Sequence, residues 1–191
     1  MSNEKKINLH VFGLVYFVLF IIPFFLNEQS PFIKFPKLDQ NFQSKMQFDI
    51  GIGIAGGLIV VFISYLLTRF TKIFRALVES FNEILGPLTI VEIFFIASFS
   101  SIAEEFFFRG LVQGKLGIWA GTLMFGLLHS GPGKKYLPWT VFAVVIGFFL
   151  GEMYEWRQNL LVPIIIHFVV NFINLIILQK IKVTSKKSLL E

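Results

Sequence analysis

Two adjacent carboxylates and an arginine, Glu104, Glu105 and Arg109, interrupt an otherwise apolar run from about Gly86 to Lys115. A charged side chain at the centre of a hydrocarbon layer costs roughly 3 kcal/mol on insertion scales, so it must turn into a bundle and find a partner. Glu105 and Arg109 stand four residues apart, the spacing that brings helical side chains together. Glu104 points about 100° away from Glu105 around the same helix. The expected arrangement has Arg109 neutralising Glu105 and Glu104 left for chemistry. The plainer alternative is an ion pair that only fixes helix packing.

The rest of the chain fits a hydrocarbon setting. Its 191 residues are 55% hydrophobic and 15% charged, whereas a soluble domain carries about 25% charge. Phenylalanine occurs 25 times, too often to hide in one small water-soluble core. The class expected is all-α: a polytopic transmembrane helical bundle of about six membrane helices, built as a single membrane domain over residues 1–191. No cysteine is present, which excludes disulfide and thiolate chemistry. The net charge of +5 is assigned to loop lysines at anionic membrane lipid, not to nucleic acid.

Six apolar runs are expected as helices: about Leu9–Leu26, Asp49–Leu67, Pro87–Gly114, Leu116–Ser130, Leu137–Tyr154 and Asn159–Leu178. The first lacks a small-residue cleavage site and is kept as a retained helix, with His10 at the interface. Residues 27–47 form a polar connection. Gly53 and Gly57 in the second helix, Gly117 and Gly121 in the fourth, and Gly147 and Gly151 in the fifth allow close helix approach. Residues 68–85 alternate basic and apolar groups, as an amphipathic helix at the headgroups does. Glu92 is expected simply to reach the interface. The fourth run covers only about 22 Å, less than a ~30 Å hydrocarbon core, and Gly131-Pro132-Gly133 ends it sharply.

Three more polar groups lie inside apolar runs: His129, His167 and Asn171. His167 and Asn171 are four apart and share a face, with Asn174 three further along. Counted from the turn near Lys115, Glu104 lies about 16 Å deep and His129 about 20 Å deep. His167 falls at roughly 10–15 Å and Asn171 at roughly 16–20 Å. Singly, each is an ordinary hydrogen-bonded packing residue of a membrane helix. Together, at matching depths, they are expected to converge on one site near mid-membrane.

These residues carry a resemblance. Two glutamates followed by arginine (Glu104, Glu105, Arg109), phenylalanine four before histidine (Phe125, His129), and histidine four before asparagine (His167, Asn171) occur in order on separate helices. In this the chain resembles the CAAX prenyl protease and bacteriocin-processing family of intramembrane proteases, also called the Abi family, over a core of residues 87–175. The resemblance implies an intramembrane endopeptidase acting on a membrane-associated protein or peptide, near its C-terminal tail or leader. Catalysis is expected from Glu104, His129, His167 and Asn171. Glu104 would activate the water, His129 would position it, and His167 and Asn171 would donate to the oxyanion. Glu105 and Arg109 support the site, and Phe125 shapes the pocket.

No cofactor is favoured. The alternative is a zinc-dependent version with Glu104, His129 and His167 as ligands, although the helical signature of two histidines four apart is missing. A non-enzymatic immunity or scaffold protein on the same fold, or a transporter, uses the same polar groups without hydrolysis. Eleven Lys and Arg residues against six fall on the side of the termini. The expected location is therefore a plasma or inner membrane, crossed several times, with both termini cytoplasmic.

Overall fold

The computed structural model describes residues 8–26, 34, 36 and 38–188, and of residues 181–188 the backbone alone. Lys5, Lys6, Lys37 and most of the first connection lie outside the described residues. The chain is an all-α membrane bundle: α1 Leu9–Leu26, α2 Phe42–Phe70, α3 Lys72–Leu85, α4 Ile90–Leu116, α5 Ile118–Leu128, α6 Leu137–Arg157 and α7 Leu161–Ser188. The apolar stretches Leu9–Leu26, Phe42–Phe70, Lys134–Arg157 and Leu161–Lys180 are each long enough to cross a bilayer. Helix α4 has the length as well, but the three charges of the site break its apolar run.

Several boundaries differ from the expected ones, each for a local reason. Helix α2 begins at Phe42, one and a half to two turns before Asp49. Asp49 therefore sits inside the helix, fully buried, where Arg157 Nε donates to Oδ1 at 2.6 Å and Asn159 Nδ2 to Oδ2 at 3.0 Å. That clamp ties α2 to the α6–α7 turn and makes a buried aspartate tolerable. Helix α4 starts at Ile90 rather than Pro87, because Thr89 and Glu92 form a capping box. Glu92 Oε2 accepts from the Thr89 backbone N–H at 2.7 Å, so its task is to cap a helix. Gly117 lies between α4 and α5 at φ +84°, a backbone state that glycine supplies without strain. Helix α5 keeps only 11 residues, about 16 Å of rise.

Helix α3 is amphipathic. It buries Leu77, exposes Lys72, Ile73 and Arg75, and meets α4 at a bend of 106°. A polar-faced helix at such an angle to a membrane helix suits the headgroup layer.

The most extensive interface joins α2 to α7. A Cβ on Gly53 would stand 2.7 Å from the Ile165 side chain, and one on Gly57 would stand 2.6 Å from Val169. Only glycine lets these backbones approach so closely, and dispersion over that contact replaces the missing hydrophobic drive between helices in lipid. Val60 and Val61 of α2 then join Val162, Ile166 and Val170 of α7 in a core with Phe108, Phe125, Ala143 and Leu150.

Candidate active site

Within α4 the backbone changes form immediately after the two glutamates. Residues Phe106–Gln113 wind as a π-helix, and every side chain in it except Phe107 is buried. The wider turn lets one short segment face α1, α5 and α6 together. Such segments recur where a helix carries function.

Glu105 and Arg109 are both fully buried. Arg109 Nη1 donates to Glu105 Oε1 at 3.0 Å, as the four-residue spacing implies. Arg109 Nη2 donates to the Gly147 carbonyl of α6 at 2.8 Å, and its Cζ lies 4.6 Å from the Phe125 ring centroid. A Cβ on Gly147 would press to 3.0 Å from that ring. The guanidinium is thus fixed by a carboxylate, a carbonyl and an aromatic face. Glu105 Oε1 has a second partner, His167 Nδ1, at 2.8 Å. Arg109, Glu105 and His167 therefore form one chain of contacts from α4 to α7, and the carboxylate sets the orientation of the imidazole.

Glu104 has different neighbours. Its Oε1 accepts from the Tyr16 hydroxyl of α1 at 2.9 Å. Its Oε2 is buried with no hydrogen bond to protein. His129 Nε2 faces that oxygen at 3.5 Å and His167 Nε2 at 3.9 Å. His129 Nδ1 lies 2.7 Å from the Phe125 carbonyl, which can only accept. Nδ1 therefore carries a proton, and Nε2 is the ring nitrogen that faces Glu104. His167 likewise has Nδ1 toward a carboxylate, so Nε2 donates only from the protonated ring. Phe125 contacts both imidazoles, with its centroid 4.2 Å from that of His129 and 5.7 Å from that of His167.

Asn171 Nδ2 donates to Ser100 Oγ at 3.0 Å, one turn before Glu104 on α4. A carboxamide nitrogen carries two donors, so one remains for a ligand. Asn174 Oδ1 accepts from Ser64 Oγ of α2 at 2.9 Å. Tyr16, Ser100, Glu104, His129 and Asn171 line a cavity of about 610 Å³, whose further walls include Phe74, Leu77 and Phe81 of α3 and Trp139 and Phe142 of α6. The acid, the two imidazoles and the carboxamide named from sequence are thus brought together from α4, α5 and α7. His10 stands apart at the exposed start of α1.

Two polar partners of the site escape a motif-based reading: Tyr16 and Ser100. The available signal was position. Tyr16 lies about 10 Å past the start of an apolar helix whose only other polar side chain is His10, deeper than the interface where tyrosine usually sits. Among the described residues, no group of three or more histidine, aspartate or glutamate side chains is arranged as a metal-binding cluster.

Fold and site together define a multi-pass membrane protein with a polar, cavity-lined centre inside its helical bundle. Residues 86–173, which contain all three motifs, match the family described as type II CAAX prenyl endopeptidase Rce1-like. The uncharacterized protein YpbD of Bacillus subtilis strain 168 is 39% identical over 93 residues, 47% of this chain and 47% of that protein. The match thus spans about half the length of the curated relative. No solved structure matches the chain significantly.

Proposed function

We propose that the chain is an intramembrane endopeptidase that hydrolyses a peptide bond near the C-terminal tail or leader of a membrane-associated protein or peptide. One observation carries this reading: Glu104 Oε2, free of protein hydrogen bonds, faced by two imidazole Nε2 atoms at 3.5 and 3.9 Å on a cavity inside a membrane bundle. Both separations exceed a good direct hydrogen bond, so neither imidazole satisfies Oε2.

A water on the cavity side of Glu104 donates one hydrogen to Oε2 and, with His129 in its neutral form, the other to His129 Nε2. Its lone pairs then point away from both acceptors, toward an incoming carbonyl carbon. As the C–O bond forms, Glu104 takes the water proton and the carbonyl oxygen becomes an oxyanion. The free Asn171 amide hydrogen, and His167 Nε2 in its protonated state, are the donors for that oxyanion. Collapse breaks the C–N bond, and Glu104 returns its proton to the leaving amine. Arg109 and Glu105 hold His167 in place, and Phe125 packs against both imidazole rings. The bundle excludes bulk water, which strengthens each of these interactions.

The apolar walls contributed by α3 and α6 suit a lipid-associated substrate entering beside α3. The excess of Lys and Arg expected on the terminal side supports an entry and termini that face the cytoplasm of a plasma or inner membrane.

The test compares membrane proteins by mass spectrometry in cells carrying the wild-type chain or Glu104→Ala, seeking a substrate left uncut. His129→Ala and His167→Ala should leave the same substrate uncut while inserting normally. Wild-type processing in all three variants refutes the reading.

A further inference from the structure

A carboxylate that serves as base has two chemically equivalent oxygens, and only one of them can face the water. Here they are made inequivalent. Oε1 accepts the Tyr16 hydroxyl at 2.9 Å, while Oε2 points toward His129 and His167. Tyr16 lies on α1, 88 residues away in sequence and outside the segment matched by the Rce1-like family. We propose that Tyr16 is a positioning residue of this site, holding Glu104 by Oε1 so that Oε2 alone is presented to the reacting water. The proposal rests on the endopeptidase reading for its catalytic consequence, but not for the contact itself.

Three observations support it. First, α1 is little buried: Pro23 is its one buried residue, and its Leu14, Val15, Phe17 and Val18 side chains are exposed. Its inward side packs mainly on α4, including the π-helix, where Phe20 lies 5.0 Å from the Phe106 ring, and Phe12 lies 4.3 Å from Tyr16. A hydroxyl on that side is costly in an apolar setting unless it has a partner, and Glu104 is that partner. Second, among the described protein groups, Tyr16 is the hydrogen-bond donor recorded for Glu104, whereas Glu105 has Arg109 and His167. Without Tyr16 the Glu104 carboxyl group is free to rotate about its last bond, and either oxygen can turn away from the imidazoles. Third, a phenolic donor leaves the acid–base work to Oε2, because it satisfies Oε1 without neutralising the carboxylate as an arginine would.

The experiment uses infrared spectroscopy on the purified full chain in detergent micelles. The Glu104 band is identified as the carboxyl absorption lost in Glu104→Gln. Tyr16→Phe is expected to fold, to shift that band, and to lower kcat about tenfold on the substrate found by the Glu104→Ala comparison. KM should stay within about twofold, since the lost bond touches the base and not the substrate. An unmoved Glu104 band in folded Tyr16→Phe overturns the proposal. If Tyr16→Phe fails to fold, 3-fluorotyrosine at position 16 reports the contact from the other side. Its fluorine resonance should move in the Glu104→Gln background, and no movement overturns the proposal equally. A shifted band together with no cleavage by the wild-type chain supports the contact and counts against the endopeptidase reading alone.

Discussion

Replacing Arg109 by methionine separates what this centre does for stability from what it does for chemistry. Arg109 is fully buried and meets Glu105 at 3.0 Å, the Gly147 carbonyl at 2.8 Å and the Phe125 ring at 4.6 Å. Removing one member of a buried ion pair leaves the other charge uncompensated and costs about 3–5 kcal/mol. That is a large fraction of a typical folding free energy of about 5–15 kcal/mol. Most of the loss comes from the stranded Glu105, not from the missing contacts. The double variant Arg109→Met with Glu105→Leu should therefore recover most of the stability, because an apolar pair of similar volume is often neutral or better. It should not recover cleavage, because His167 Nδ1 loses the carboxylate that orients it. Reversible denaturation in mixed micelles measures the first quantity, and turnover of the substrate identified through Glu104→Ala measures the second. A double variant as unstable as Arg109→Met alone would refute the argument that the stranded charge dominates. A double variant with full turnover would remove the Arg109–Glu105–His167 chain from the mechanism.

Other perturbations probe separate links. Gly57→Val puts carbon where Val169 lies 2.6 Å from an ideal Cβ; it should separate α2 from α7 and cost about 1–3 kcal/mol, read by the same denaturation assay. Ser100→Ala frees Asn171 Nδ2 from its 3.0 Å bond; it should lower kcat by a few fold with melting temperature held within a few degrees, and an unchanged kcat would leave Ser100 a packing residue. Prolonged dialysis against a chelator should leave cleavage at its starting rate under the glutamate mechanism. Loss of activity with recovery on adding zinc would instead make Glu104, His129 and His167 a ligand set.

The sequence by itself determined the class and the polar cast. Apolar runs near the length of a bilayer leave the backbone no option but helices that satisfy their own hydrogen bonds. Charges and imidazoles inside those runs must turn inward. The four-residue spacing foretold the contact between Glu105 and Arg109, and helical rise put Glu104, His129, His167 and Asn171 at similar depth. Pro87 drew the expected start of α4 three residues too early, and the capping box of Thr89 and Glu92 that sets it went unread.

Tertiary structure decided the rest. Spacing along one helix cannot say that Glu105, besides pairing with Arg109, would orient His167 from α7. Nor can it say that Asp49 would lie inside α2, clamped by Arg157 and Asn159. The π-helical turn at Phe106–Gln113 depends on neighbours pressing on several sides at once. The hydroxyl that meets Glu104 comes from Tyr16, a helix away and far along the chain. Periodicity reports which way a side chain leaves its own helix, because that follows from local backbone geometry. Which group it meets there depends on how separate helices dock, and that is set by side-chain volumes and glycine contacts distributed over the whole bundle.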